Sequence, residues 1–530
     1  MSRSFAVWGT GSDNAGAAGP DERLQLSDLG KLARRFRRGV VGAARADDRV
    51  TFGKLLGEHL DVDTADLEVV EESWPAYDHV NVQAGFDAWL AVPGRSHQLV
   101  GVVNFRHREF GLSEMLRWGG RAEMHGTSPG NVNRVNLASG PGGEVRACVR
   151  CGLYLVDDAN GRAALLLRGA EPDSGMESVM VQVVADDPEA AARIAAEIRD
   201  LTVVHNVYRG QIVSFGQQMF GERQTVLGFH ARPTMADDDL ILPAETLATI
   251  RRQVVAVAEH REQLLAARQH LKRGLLLYGP PGVGKTHTLR YLMSRLIDTT
   301  IVQLTGDSLY LIGQACSVAR TLQPAMIVVE DVDLIAEDRG MHPGQHPLLF
   351  QLLNEMDGLA EDADVVFLLT TNRADVLEPA LASRPGRVDQ AVELELPDSE
   401  ARRRLFALYR GDLRVDESRL DSVITRTAGV TASFLKELLR RAAVIAAAAD
   451  GSGEISVSAD DLDAALDELL DTRNAMTRVL LGGAVAGGAV GGPAVGGVSG
   501  FSAAPGPGRA PGSSARRAPD LSAAGDRSVP

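Results

Sequence analysis

Residues 275–286, LLLYGPPGVGKT, decide how the central part of this 530-residue chain folds. A short apolar run is followed by the pattern GxxxxGK[ST] and then by a helical pattern, HTLRYLMSRL. Glycines at this spacing let backbone N–H groups curl around phosphate oxygens, and the helix start adds positive potential. The pattern therefore predicts a nucleotide-binding loop made of Gly279, Pro280, Pro281, Gly282, Val283, Gly284, Lys285 and Thr286.

The last two residues of this loop carry separate chemical roles. The amine of Lys285 reaches the outer phosphates, and the hydroxyl of Thr286 ligates magnesium. We therefore expect ATP and Mg2+ as cofactors. A purely structural glycine-rich turn is the alternative, but it does not account for a buried strand before the loop and a helix after it.

Two acidic residues end the next informative strand, MIVVEDVD at residues 326–333. We expect Glu330 to hold Mg2+, directly or through water, and Asp331 to orient and polarise the attacking water. Most sequences of this kind place Asp first and Glu second, so Asp331 acts from a side chain one methylene shorter. A bound water or a small backbone shift could compensate. The alternative is two solvated acids at a strand end.

Three further residues are candidates for the same site. The strand VVFLLTTN at residues 365–372 ends in Asn372, whose amide can bridge the attacking water and the γ-phosphate. The loop SRPGRVD offers Arg384 and Arg387, which suit a site supplied in trans by a neighbouring subunit. The alternatives are a turn-capping Asn and ordinary surface arginines.

The wider pattern around these motifs predicts the domain organisation. Short, continuous apolar runs alternate with helical segments from about residue 238, which is typical of a parallel sheet covered on both faces. Residues 67–229 instead alternate apolar and polar positions in short runs such as HVNVQAGF and SVMVQVV, which predicts strands of a mixed α+β domain. The predicted parts are a flexible tail at 1–20, an N-terminal α+β recruiting or regulatory domain at 21–230, a nucleotide-binding core at 238–396, a helical lid at 397–472, and a disordered Gly/Ala/Pro-rich tail at 473–530.

Composition limits the partners. The formal net charge of −15 argues against an extended nucleic-acid groove, although arginines cluster between Arg34 and Arg38. The uncharged run at residues 479–501 is long enough for a bilayer, but glycine dominates it and proline interrupts it, which favours disorder.

Three cysteines and the lack of a basic and apolar leader favour the cytoplasm. Cys148 and Cys151 form a lone CxxC, which we interpret as ordinary strand residues.

Taken together, residues 238–472 resemble an AAA ATPase module of the AAA+ superfamily. The resemblance rests on LKRGLLLYGPPGVGKT, the acidic strand end, LLNEMDGL at 352–359, LLTTNRADVLEPAL and SRPGRVDQAVELELPD. It implies an α/β P-loop core with a five-stranded parallel sheet, a helical lid, and a ring, usually hexameric, in which Arg384 and Arg387 reach the neighbour's nucleotide. The Glu-Asp order is similar to that of the mitochondrial AAA translocase that assists assembly of the Rieske protein.

The leading hypothesis is a cytoplasmic, ring-forming ATP hydrolase that remodels or unfolds an unknown protein substrate. Tyr310-Leu311-Ile312-Gly313 resembles the aromatic pore loop of ring unfoldases, displaced by one place. No HExxH motif occurs in the sequence, which argues against a self-contained metalloprotease. Two alternatives stay open at this point: a nucleotide-dependent scaffold or switch with slow turnover, and a nucleic-acid remodeller prompted by the arginine cluster.

Overall fold

The computed structural model describes residues 51–62, 67–105, 110–117, 127–159, 161–217, 225–333, 347–373, 388–450 and 454–471. Both predicted tails, the arginine cluster at Arg34–Arg38 and the apolar run at residues 479–501 lie outside these ranges. Among the described helices, none is both long and apolar enough to cross a bilayer.

An antiparallel sheet of seven strands organises the N-terminal part. In spatial order the strands run β1-β7-β6-β5-β2-β3, and β4 pairs with the first half of β5. The strands are β1 Val70–Pro75, β2 Ser96–Val103, β3 Ser128–Gly130, β4 Asn133–Ala138, β5 Val145–Asp158, β6 Gly161–Arg168 and β7 Ser178–Ala185.

Helices cover both faces of this sheet. Successive residues of β6 point to opposite sides, so Leu166 packs in one apolar cluster and Leu165 in the other. The first cluster includes α1 and α3, and the second includes α2 and α4. These helices are α1 Phe52–Leu60, α2 His79–Leu90, α3 Leu112–Arg117 and α4 Pro188–Val204. The α+β character predicted for this region is therefore present in the described residues.

The run HVNVQAGF is wrong as a strand prediction, because it forms the start of α2. Ten of the twelve residues of this helix are buried, so its polar positions do not mark a solvent face. Asn81 instead accepts from the backbone N–H of Val207, and Gln83 accepts from that of Val149. Buried, hydrogen-bonded amides thus imitate the polar-apolar alternation of a strand.

The lone CxxC prediction is confirmed as ordinary strand structure. Cys148 and Cys151 lie on β5 and are 0% and 1% exposed. They belong to different apolar clusters on opposite faces of the sheet, and both are free thiols. The described residues contain no group of three or more His, Cys, Asp or Glu arranged to hold a metal.

A second seven-stranded sheet forms the core of the part predicted to bind a nucleotide. Its order is β14-β10-β13-β12-β11-β8-β9, and all neighbouring strands are parallel except the hairpin β8-β9. The strands are β8 Ile212–Gln217, β9 Thr225–His230, β10 Arg273–Tyr278, β11 Thr300–Leu304, β12 Ala325–Val329, β13 Val365–Thr371 and β14 Gln390–Glu393.

This sheet differs from the prediction at one edge. Five parallel strands were expected, and β10 to β14 supply them. The predicted boundary at residue 230 assigns the hairpin β8-β9 to the N-terminal domain, but β8 pairs in parallel with β11 through Ile301–Ile212 and Val302–Val213. The sheet therefore extends across the expected boundary at residue 230, since strand pairing is decided by contacts that adjacent sequence does not reveal.

Helices pack on both faces of the core sheet. One face buries Phe367 and Leu369 against α9 and α10, and the other buries Leu368 against α5, a π-helical turn and α8. The elements, in order, are α5 Ala244–Arg251, the π-helical turn Arg252–Ala256, α6 Val257–Glu259, α7 Arg261–Ala266, α8 Lys285–Arg295, α9 Ile312–Thr321 and α10 Pro347–Asp357.

A small helical bundle follows the core. Its apolar centre includes Phe406, Phe434 and Leu466, none more than 1% exposed. A two-stranded parallel ladder, β15 Arg414–Val415 with β16 Ser456–Val457, lies beside it. The helices are α11 Ser399–Arg410, α12 Leu420–Arg426, α13 Ala432–Asp450 and α14 Ala459–Leu470.

Arg232 links the segment that follows β9 to the core by hydrogen bonds. Its guanidinium donates to the carbonyls of Met293 and Leu296 at the end of α8, both at 2.8 Å. It also donates to Gly210 at 2.8 Å and Thr299 at 3.1 Å. Four carbonyls of three segments thus depend on one side chain, and a cation suits a helix carboxyl end.

We expect Arg232→Met to lower the free energy of unfolding by about 2–3 kcal/mol, because it leaves these carbonyls without their charged donor. Differential scanning calorimetry measures the change. Arg209→Met is the matched control, since exposed Arg209 makes two weaker backbone contacts at 3.3 Å. An equal loss in both variants would contradict the assignment.

Candidate functional site

Three glycines give the predicted phosphate loop its shape. Gly279, Gly282 and Gly284 have φ values of 145°, 83° and 113°, a region that side chains with a Cβ rarely adopt. A Cβ at Gly279 would also lie 2.4 Å from the carbonyl oxygen of Leu394. The loop joins the end of β10 to the start of α8, so its N–H groups lie at a helix N-terminus, where an anion is stabilised.

Lys285 is the first residue of α8 and folds back over the loop. Its ammonium donates to the carbonyl oxygens of Gly279 at 2.7 Å and Pro280 at 2.9 Å. Burial lowers the pKa of Lys285, while the carboxylates of Asp331 and Asp333 oppose that shift. The ammonium therefore contacts the first two residues of the loop, paired with carbonyls that a nucleotide phosphate could replace as its partner.

Thr286 and Glu330 bring two oxygen ligands together. The Thr286 hydroxyl donates to Oε2 of Glu330 at 3.1 Å. Burial raises the pKa of Glu330, the hydrogen bond from Thr286 opposes the rise, and the charge of Asp331 adds to it. One hydroxyl and one carboxylate fit Mg2+, which in nucleotide sites takes few protein oxygens and completes its shell with phosphates and water.

Asp331 has an unusual backbone. Its φ is 53°, in the left-handed region, at a cost on the order of 1 kcal/mol for a residue with a Cβ. Its N–H donates to the Thr370 hydroxyl at 3.2 Å, and its Oδ1 accepts from the Asn372 amide at 3.2 Å. The structure thus brings Asp331 and Asn372 into contact, as the sequence predicts for residues at one edge of a parallel sheet.

The sequence interpretation gave no role to Asp333, Thr370 or Thr371. Asp333 is 9% exposed, and its Oδ1 accepts from the Thr371 hydroxyl at 2.8 Å and from the backbone N–H of Asn372 at 3.3 Å. The only signal was position: Asp333 stands two residues beyond Asp331, and the threonines directly precede Asn372.

The helical bundle contacts the phosphate loop through the first turn of α13. The backbone N–H of Ser433, in the first turn of α13, donates to the carbonyl oxygen of Gly282 at 3.2 Å, and its hydroxyl reaches the same oxygen at 3.4 Å. A Cβ at Gly282 would lie 2.9 Å from the Ser433 hydroxyl oxygen. Sequence reasoning placed a lid here but did not identify this contact, which joins residues 151 positions apart.

Arg384 and Arg387 lie outside the described residues. The predicted pore-loop segment is described: Tyr310 is 45% exposed, whereas Leu311 is 5% exposed and packs in the core. Tyr310 is therefore the accessible member of that pair.

The parallel sheet, the loop after β10 and the acids after β12 define an α/β P-loop nucleotide-binding protein. Residues 275–396 match the family model described as ATPase family associated with various cellular activities (AAA). Residues 275–396 are accordingly similar to the ATPase domain of the AAA family.

The chain is also similar to curated relatives over part of its length. It is 36% identical to ATP-dependent zinc metalloprotease FtsH 2 of Sphaerobacter thermophilus over 39% of this chain and 33% of the relative. It is 30% identical to the proteasome-activating nucleotidase of Pyrococcus horikoshii over 42% of this chain and 59% of that protein. It is 31% identical to the ATP-dependent zinc metalloprotease FtsH of Mycobacterium leprae over 42% of this chain and 29% of that protein. The chain thus spans less than two thirds of each of these relatives.

We expect Gly279→Ala to destabilise the nucleotide-free protein more than Gly284→Ala. Backbone strain of about 1–3 kcal/mol applies to both positions. Only at Gly279 does the added methyl meet a carbonyl oxygen, since nothing outside the neighbouring chain and helix backbone lies within 4 Å at Gly284. Thermal unfolding of the two variants measures the difference, and equal losses would count against the close approach of Leu394.

Proposed function

We propose that this chain is an ATP hydrolase that works as a ring and uses hydrolysis to remodel or unfold protein substrates. The observation that carries the proposal is the contact between Asp331 and Asn372 beside the Thr286–Glu330 pair. A phosphate loop alone would support nucleotide binding. An acid and an amide that meet next to a metal-ligand pair support turnover as well.

ATP binding rests on the loop at residues 279–286. The backbone N–H groups and the amino end of α8 surround the phosphates, and Lys285 exchanges its two loop carbonyls for phosphate oxygens. The lid contact at Gly282 supports a nucleotide site closed on one side by α13. Mg2+, held by Thr286 and Glu330, would supply charge neutralisation on the phosphates.

Water activation rests on Asp331 and Asn372. Asp331 accepts a proton from water or polarises it, and Asn372 holds the same water in line with the γ-phosphate. The left-handed backbone of Asp331 supports the compensation expected for its shorter side chain, because it re-aims the carboxylate toward Asn372. The Glu-Asp order is then compatible with hydrolysis.

A protein substrate is favoured by the relatives. One is named an ATP-dependent zinc metalloprotease and another a proteasome-activating nucleotidase. The sequence has no HExxH motif, so the zinc protease chemistry of the first name is not carried over. The exposure of Tyr310 supports contact with a polypeptide, in keeping with its resemblance to a pore loop. The region at residues 21–230 would recruit the substrate or regulate the core.

The ring is a hexamer in this proposal, with Arg384 and Arg387 reaching the neighbour's nucleotide. A cytoplasmic location fits the three buried free cysteines, since thiols persist in a reducing compartment. The domain limits at residues 238–396 and 397–472 complete the proposal, with the hairpin β8-β9 added to the core.

Asp331→Asn tests hydrolysis. It should keep ATP affinity within a few fold of wild type, because the phosphate loop is untouched, and lower kcat by about 10² or more. Coupled ATPase assays and fluorescent-nucleotide titration measure the two quantities. Asp362→Asn, in an exposed turn, is the matched control, and Lys285→Met should lose binding itself.

Equally slow hydrolysis by wild type and Asp331→Asn would contradict turnover. That result would leave a nucleotide-dependent scaffold or switch as the function.

Mixing two inactive variants tests the trans arginines. Arg387→Ala should lower kcat about 10³-fold, since an arginine supplied in trans stabilises the charge on the transferred phosphoryl group. Rings formed from Arg387→Ala and Asp331→Asn subunits should regain partial activity, because some sites then combine an intact Asp331 with a neighbour's intact Arg387. Mixed rings that assemble by light scattering yet stay inactive would refute action in trans.

A further inference from the structure

The carboxyl ends of β12 and β13 are joined by side chains after their backbone pairing stops. The ladder between the two strands ends at Val329 and Leu369. Residues 330–333 and 370–372 lie beyond that pair, so strand hydrogen bonds between β12 and β13 do not fix their relative position. Four side-chain hydrogen bonds replace them, two to Asp333, one to Thr370 and one from Asn372.

Asp333 supplies two of the links. Its Oδ1 accepts from the Thr371 hydroxyl at 2.8 Å and from the backbone N–H of Asn372 at 3.3 Å. The Thr371 oxygen in turn accepts from the backbone N–H of Arg373 at 2.9 Å. The hydroxyl is thereby oriented, with its proton toward Asp333 and its lone pair toward Arg373.

Thr370 supplies the third link. Its hydroxyl oxygen accepts from the backbone N–H of Asp331, the residue with left-handed backbone. Asn372 then donates from its side-chain amide to Asp331. The contacts form a closed circuit in which Asp333 holds the backbone of Asn372 and Asn372 holds the carboxylate of Asp331.

We propose that Asp333 is a positioning residue for hydrolysis: it fixes the backbone of Asn372, and through it the geometry of the water held between Asn372 and Asp331. The inference rests on the proposed ATP hydrolysis and deepens it. Asp333 itself does not touch the substrate in this role. It acts through the two residues that do.

Charge is the competing explanation for an effect at Asp333, because its carboxylate also lies close enough to Lys285 to favour the charged ammonium. The two explanations differ for Asp333→Asn. An Asn oxygen accepts from the Thr371 hydroxyl and the Asn372 N–H as Asp does, but carries no charge. Positioning therefore predicts rescue by Asn, whereas charge predicts none.

The experiment compares kcat and ATP affinity in the full-length chain. Asp333→Ala should lower kcat by about 10²-fold, the scale of a misplaced reacting geometry, with the ATP dissociation constant within about threefold of wild type. Asp333→Asn should recover kcat to within roughly tenfold of wild type. Thr371→Val, which removes one link at nearly constant volume, should lower kcat about tenfold.

Two controls make the same chemical changes elsewhere. Asp362→Ala alters an exposed carboxylate, and Thr321→Val alters an exposed hydroxyl on α9 whose partner is the Ser317 carbonyl. Both should leave kcat unchanged. If Asp333→Ala does not fold, Thr371→Val and Asp333→Asn still measure the same links.

The outcomes distinguish a failure of the proposed ATP hydrolysis from a failure of the positioning role of Asp333. A wild-type chain without turnover overturns the proposed hydrolysis and this inference with it. Wild-type turnover with unchanged kcat in Asp333→Ala and Thr371→Val overturns this inference alone. An Asn variant as slow as the Ala variant assigns the effect to charge and also overturns positioning.

Discussion

Parallel pairing of β10, β13 and β12 is the constraint on which the site depends. Strands that run in the same direction end at the same edge, so the phosphate loop, Asn372 and the acids Glu330 and Asp331 meet there although up to 93 positions separate them. In the register of these strands, Tyr278 lies opposite Thr371 and Val329 lies opposite Leu369. Distances between the candidate groups follow from that register and from short side-chain links beyond it.

The hydrogen bond between Thr371 and Asp333 is shielded from water because both side chains are buried. Thr371 is fully buried and Asp333 nearly so, which makes each hydrogen bond costly to break and each carboxylate costly to leave without a donor. The same burial raises the pKa of Glu330 and lowers that of Lys285, so the nucleotide-free site holds charges at a cost that bound phosphate and a cation would offset.

The N-terminal part packs against the core sheet on the side of β8 and β9, at the end of the strand order away from β14. The hairpin β8-β9 extends the core sheet beyond β11. Phe215 of that hairpin packs edge-to-face against Tyr77, with ring centroids 5.5 Å apart. Val80, Cys148 and Tyr208 belong to the same apolar cluster as the core strands. The N-terminal part is therefore joined to the core sheet by packed side chains.

Sequence by itself located the loop at residues 279–286, the apolar runs that form β10 to β14 and the acids at one strand end, because each depends on local spacing. It failed where burial hides the pattern, as in α2, whose polar residues find partners in distant backbone. Tertiary structure alone decided the hairpin's place in the core sheet, the left-handed backbone of Asp331 and the contacts of Asp333. Each requires a partner far along the chain, such as Thr370, 39 positions from Asp331, and only folding brings such partners within hydrogen-bond distance.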